Sequence, residues 1–141
     1  MLVFLKTLHF ISLWVAGGLG VGGWVLLHVH KRNGQRPSVE VVQSIRMMGV
    51  LALIAVLALW ITGYLLSGMI YSGLPTAGAF HAKLMGATLI LICSLGANLE
   101  TLRSMRAGTP PRAGLMAVFA WTVRISLLMV LIGAAAAFSS N

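Results

Sequence analysis

Acidic side chains are nearly missing from this chain. Glu40 and Glu100 are its two carboxylates among 141 residues, and there is no Asp. Glycosidase-type chemistry needs two acids flanking one substrate bond, and no such arrangement exists here. No nucleophile–base pair for covalent hydrolysis is recognisable either. Cysteine is equally scarce: Cys93 stands alone inside an apolar run, which excludes a disulfide framework. Charge of any sign is thin, at 9% of residues, where a soluble domain carries about 25%.

In their place the chain has hydrocarbon. It is 59% hydrophobic, and four long runs with few or no charges are each long enough to cross a bilayer. The spans are expected at about Leu2 to Val29, Val41 to Met69, Phe80 to Leu102 and Ala113 to Phe138. The connections are too short to fold separately, so residues 1–141 form one transmembrane domain. The fold class is all-α, an integral membrane four-helix up-down bundle. The first run is too long for a cleavable signal and contains Lys6 and His9, so it reads as a span.

The net charge of +8 would suggest nucleic acid in a soluble protein. Its distribution points to topology instead, with membrane lipid as partner and no nucleic acid. Lys31, Arg32, Arg36, Arg103, Arg106 and Arg112 fall in the first and third connections, and Arg46 lies just beyond the first. The positive-inside rule puts both basic connections in the cytoplasm and both termini outside, in a multi-pass protein of a bacterial-type inner (plasma) membrane. Glu100, at the cytoplasmic end of the third span, is expected to pair with Arg46 or Arg103.

Polar groups inside spans are costly and so point to function. Lys6 and His9 lie near the start of the first span, three residues apart and on one helical face. His81 and Lys83 open the third span within Phe80-His81-Ala82-Lys83-Leu84. Both spans run inward from the outer face, which places His9 and His81 about one turn apart in depth. Two such histidines can ligate haem iron axially, with lysines for the propionates. His9, Leu13, Ala16, Gly17, Gly20 and Trp24 share one face of the first span, where a porphyrin-type ligand finds room. The glycines of residues 16–23, with Gly18 and Gly22 in small-xxx-small spacing, read first as a close helix contact. Arg124 lies near the bilayer centre. It is expected to face the bundle interior, against backbone carbonyls, Thr62, Asn98 or an anionic ligand group. Copper is the alternative metal at His9 and His81, with Met69 or Met85 as soft donors. His28 and His30 read as interfacial anchors.

At these residues the sequence resembles a known family. Leu5-Lys6-Thr7-Leu8-His9-Phe10-Ile11-Ser12-Leu13-Trp14 is similar to the opening of HemJ-type protoporphyrinogen oxidases and related CopD-like membrane proteins. Phe80-His81-Ala82-Lys83-Leu84 and Ile61-Thr62-Gly63-Tyr64 resemble that family's third and second helices. The resemblance implies haem b in a helical bundle and oxidation of protoporphyrinogen IX to protoporphyrin IX, with electrons passed to the membrane chain. It implies His9 and His81 as site residues and Lys83 as a further one, and it matches Arg46 to the arginine that opens the family's second helix. Gln43-Ser44-Ile45 depart from the Glu-His that often precedes that arginine, and Cys93-Ser94-Leu95-Gly96-Ala97-Asn98 from its aromatic-rich third helix end. The leading expectation is a haem-b-binding oxidoreductase whose cofactor-binding residues are His9, His81, Lys6, Lys83 and Arg124. The other two are a CopD-like copper-handling or transport protein, and a small structural subunit that partners a second copy or a larger membrane complex.

Overall fold

The computed structural model describes residues 1–34, 37–71 and 78–139. They form α1 (Leu2–Arg32), α2 (Val39–Tyr71), α3 (Gly78–Ala107) and α4 (Ala113–Ser139), with no strand among them. The expected arginine at position 36 and most of the expected second connection fall outside these residues. Each helix contains a segment long and apolar enough to cross a membrane.

Helices run further than hydropathy alone suggests, most of all α3, which continues past Leu102 to Ala107. A helix satisfies its own backbone groups, so nothing obliges it to stop where hydrocarbon gives way to headgroups. The stop is chemical. Gly108 takes φ +63°, its N–H bonds the Met105 carbonyl, and the Thr109 N–H reaches back to the Ser104 carbonyl at 3.1 Å. This paired closure needs a left-handed residue, which glycine adopts without a Cβ penalty. Gly34, at φ +64°, is also left-handed beyond α1, and its N–H bonds the Lys31 carbonyl at 3.3 Å. α2 opens on Ser38, whose Oγ accepts from the Val41 N–H.

Packing follows chain order. α1 lies along α2, α3 along α4, and a narrower α2–α3 contact joins the two hairpins. On α1 the less exposed positions, Leu5, His9, Ser12, Val15, Ala16, Leu19, Gly22, Gly23, Leu26 and His30, recur every three to four residues in a seven-residue pattern. That is the heptad spacing of a left-handed helix pair. Cross-helix contacts fix an antiparallel register. His9 meets Thr62 and Gly22 meets Met48 between α1 and α2. Trp60 donates to Thr88, and Asn98 to the Gly49 carbonyl, between α2 and α3.

The interior is built from small and hydroxyl-bearing side chains. Ser12, Thr62, Ser67, Ser104 and Ser126 are buried, while Phe4, Phe10, Trp14 and most leucines are exposed. With lipid as the outer solvent, apolar side chains gain nothing by turning inward, so close packing and hydrogen bonds hold the helices together.

The glycine contacts correct one expectation. Around Gly17, Gly18, Gly20 and Gly23 no atom lies within 4 Å of where a Cβ would stand, and Gly22 meets only the Met48 terminal methyl at 3.7 Å. The α1 glycines are not a close helix contact, because most of them lie off the heptad stripe that faces α2. The close approaches are on α3. A Cβ on Gly86 would stand 2.8 Å from Val130 Cγ2 and 3.0 Å from the Ser126 carbonyl oxygen; one on Gly96 would stand 2.7 Å from the Phe119 ring.

Candidate functional site

His9 is the centre of the polar structure between α1 and α2. Its Nδ1 lies 2.9 Å from Thr62 Oγ1. The Thr62 hydroxyl is itself 2.7 Å from the Ala58 carbonyl oxygen and 3.2 Å from that of Leu59. A carbonyl can only accept, so the single hydroxyl proton goes to Ala58. Thr62 Oγ1 therefore accepts from His9, and the imidazole carries its proton on Nδ1. Nε2 is left with the lone pair, the form in which histidine binds a metal.

Thr62 is 3% exposed, so this acceptor is not shared with water. Gly63 completes the seat: a Cβ there would stand 3.3 Å from His9 Cε1. Thr62 and Gly63 thus act as a pair, one orienting the ring and the other leaving it room. Phe10 presents its ring edge-on, with centroids 6.2 Å apart.

Of the α3 polar pair, Lys83 is near enough for its charge to act on the His9 ring. His81 sits at an exposed position at the start of α3 and makes an interaction of its own. The register adds a depth correction. Thr62 is level with about residue 86 of α3, by the spacing from the Trp60–Thr88 bond. His81 is then about 7 Å nearer the N-terminal end of α3 than His9, more than the single turn expected from span starts. Lys83 is also about 200° round the helix from His81. Lys6 is exposed on α1, next to His9 on the helix face that turns away from α2.

Arg124 departs from expectation. It is exposed rather than interior, and neither Thr62 nor Asn98 is its partner: Thr62 serves His9, and Asn98 donates to Gly49 and Ser94 carbonyls. Its guanidinium lies 5.3 Å from the Trp121 ring centre on its own helix and 6.0 Å from that of Trp24 on α1. A weakly hydrated planar cation is well matched to indole faces, and acids are scarce here. Trp24 in turn stacks on His28, with centroids 5.2 Å apart. Side chains lean toward the N terminus of their helix, and α1 and α4 run in opposite directions, so Trp24 and Arg124 lean toward each other. The α1 and α4 backbones make no close approach among the described residues; these side chains bridge them. The open glycines Gly17 and Gly20 lie on the α1 face that carries Trp24.

Glu100 is buried at the other end of the molecule. Its carboxylate accepts the Arg112 backbone N–H at 3.2 Å and sits 3.5 Å from Arg103 and 3.9 Å from the Arg112 guanidinium. The expected Arg103 pairing is present. Arg112 takes the place proposed for Arg46, because it begins α4 directly beside the end of α3. Ser104 donates to the Thr109 carbonyl in the same turn. This cluster is a structural clasp between α3 and α4.

The described residues contain no group of three His, Cys, Asp or Glu side chains able to hold a metal ion together. Thr62 and Gly63 as neighbours of His9, and Trp121 as neighbour of Arg124, are pairings that side-chain chemistry alone does not single out. The signal for the first two is their adjacency, a hydroxyl followed by a missing side chain within a span.

Fold and site together define the class: an all-α, multi-pass, four-helix protein with a tautomer-fixed histidine between its first two helices. No protein-family model, curated protein or solved structure matches the chain.

Proposed function

We propose that the protein binds haem b within its helices and acts as a membrane oxidoreductase of the HemJ type, oxidising protoporphyrinogen IX to protoporphyrin IX and passing electrons to the membrane chain. One observation carries the reading. The His9–Thr62 bond fixes the imidazole tautomer and leaves Nε2 free to coordinate. A haem would bring most of its own iron ligands, so one oriented histidine could hold it through its iron. A resident zinc or copper ion would need about three or more protein ligands, and among the described residues no group of three His, Cys, Asp or Glu side chains gathers at His9.

The other residues fit the same group. Gly17 and Gly20 leave open space beside His9's face of α1, as a flat macrocycle requires. Lys83, Lys6 and Arg124 are cations without a carboxylate partner among the described residues, suited to propionates. His81 would be the second histidine to hold the group, if the α3 start approached His9. The haem, when bound, supplies one-electron redox chemistry. This chain's own part is to hold the imidazole, neutralise anionic substituents and exclude water from a span-deep site. The two basic connections support a cytoplasmic placement for themselves and, with four spans, both termini on the opposite side of an inner (plasma) membrane.

The test is direct. Protein expressed with ample haem should show a Soret band and, when reduced, a b-type α-band. With protoporphyrinogen and a quinone acceptor it should generate porphyrin fluorescence above the spontaneous rate. Colourless protein rejects the haem reading. Coloured protein without the fluorescence rejects the oxidase activity and leaves a haem carrier. Stoichiometric copper in place of haem would favour the CopD-like alternative.

A further inference from the structure

The α3 end that reaches beyond Leu102 has a feature the haem site does not use. A shallow depression there is lined by Leu99, Leu102, Arg103, Arg106 and Ala107. Leu99, Leu102, Arg103 and Arg106 follow one another by three, one and three residues, so they form a single helix face. The face is ordered by depth. About 20 residues of helix cross the hydrocarbon, which puts Leu99 and Leu102 at its edge and the two arginines, up to about 10 Å further along, among the headgroups. Leu99 is 57% exposed and both arginines are exposed, so the face is open to the lipid. Arg106 has no anionic partner among the described residues, and Arg103 makes only the long contact with Glu100, which Arg112 also holds.

We propose that this face is a binding site for one anionic phospholipid of the leaflet that meets the basic connections. The phosphate sits between Arg103 and Arg106, and the first part of an acyl chain lies on Leu99 and Leu102. Charge complementarity carries the choice of ligand. Two adjacent guanidinium groups match a phosphodiester's paired oxygens, and the apolar floor on the hydrocarbon side matches a tail attached to it. A zwitterionic lipid offers the same tail but brings its own ammonium against the arginines. A soluble phosphate has nothing to place on the leucines.

The experiment uses the full chain in nanodiscs of mixed phosphatidylglycerol and phosphatidylcholine, with retained lipid counted by native mass spectrometry after mild release. One phosphatidylglycerol per chain should be retained in preference to phosphatidylcholine. Arg106→Gln should weaken that preference about fivefold, and Arg103→Gln/Arg106→Gln about twentyfold. Lys31→Gln/Arg32→Gln removes the same charge from the end of α1 and should leave the preference intact. Arg106→Gln spares the Glu100 cluster, so a folding defect in the double variant does not obscure the result. Equal loss in the α1 control would overturn the proposal in favour of general surface charge. So would an unchanged preference in Arg106→Gln, or full displacement of the lipid by glycerol phosphate.

Discussion

The hydroxyl of Thr62 lies 2.9 Å from Nδ1 of His9 and 2.7 Å from the Ala58 carbonyl, so it passes its proton to its own helix and accepts the imidazole's. The pairing joins α1 to α2 and decides which histidine nitrogen is available to a ligand.

Removing that acceptor should loosen the ligand without unfolding the helix pair. Thr62→Val keeps the shape and loses the oxygen; partners of this kind are worth about 10–100-fold in affinity at metal sites. Haem transfer to a scavenging apoprotein should speed up by that order. Thr62→Ser should restore the wild-type rate, because the serine hydroxyl can bond Ala58 and His9 in the same way.

Gly63 predicts a graded change. A methyl at this position stands 3.3 Å from His9 Cε1, tighter than ordinary contact, and the ring must give by a few tenths of an ångström. Gly63→Ala should shift the Soret maximum while retaining haem. Gly68→Ala, with no atom within 4 Å, should leave the spectrum unchanged and serves as the comparison.

The glycines should rank in stability by what their missing side chains would strike. Gly86→Ala meets backbone as well as Val130, which cannot retreat, and should cost about 1–3 kcal/mol. Gly96→Ala meets the far edge of the Phe119 ring, which can swing away, and should cost less. Gly17→Ala and Gly20→Ala should be neutral or slightly stabilising, since alanine favours helix by up to about 1 kcal/mol. Thermal unfolding in one detergent gives the order. A loss at Gly20 as large as at Gly86 would mean that the α1 strip is a helix contact after all.

Glu100 should matter through its backbone partner more than through its ion pairs. Glu100→Ala leaves the Arg112 N–H without its acceptor and should cost about 1–3 kcal/mol. Glu100→Gln retains an oxygen there and should cost less. Arg103→Gln should cost under about 1 kcal/mol, because its side chain is 58% exposed and the contact is long.

The helices were legible in the sequence because a bilayer imposes one rule on every span, and the long uncharged runs obey it. The ends were less so. Ala107 rather than Leu102 closes α3 because Gly108 supplies the left-handed turn, a local backbone event that hydropathy does not register. At the site, His9 and Lys83 could be picked out by the cost of a polar group in a span. Thr62 could not be tied to His9, since its role depends on the antiparallel register of α1 and α2. The cost of charge in hydrocarbon predicts an interior Arg124, and the structure exposes it. Two tryptophans on different helices provide another solution, and their convergence depends on helix direction and lean rather than on spacing in the chain.

The central claim is that His9 carries the cofactor. A reduced-minus-oxidised spectrum of purified wild-type protein and of His9→Ala, with and without added imidazole, tests it most directly. The wild type should show a b-type α-band, His9→Ala should lose it, and imidazole occupying the vacated position should restore part of it. A colourless wild type prepared with ample haem, or an α-band that survives unchanged in His9→Ala, would contradict it.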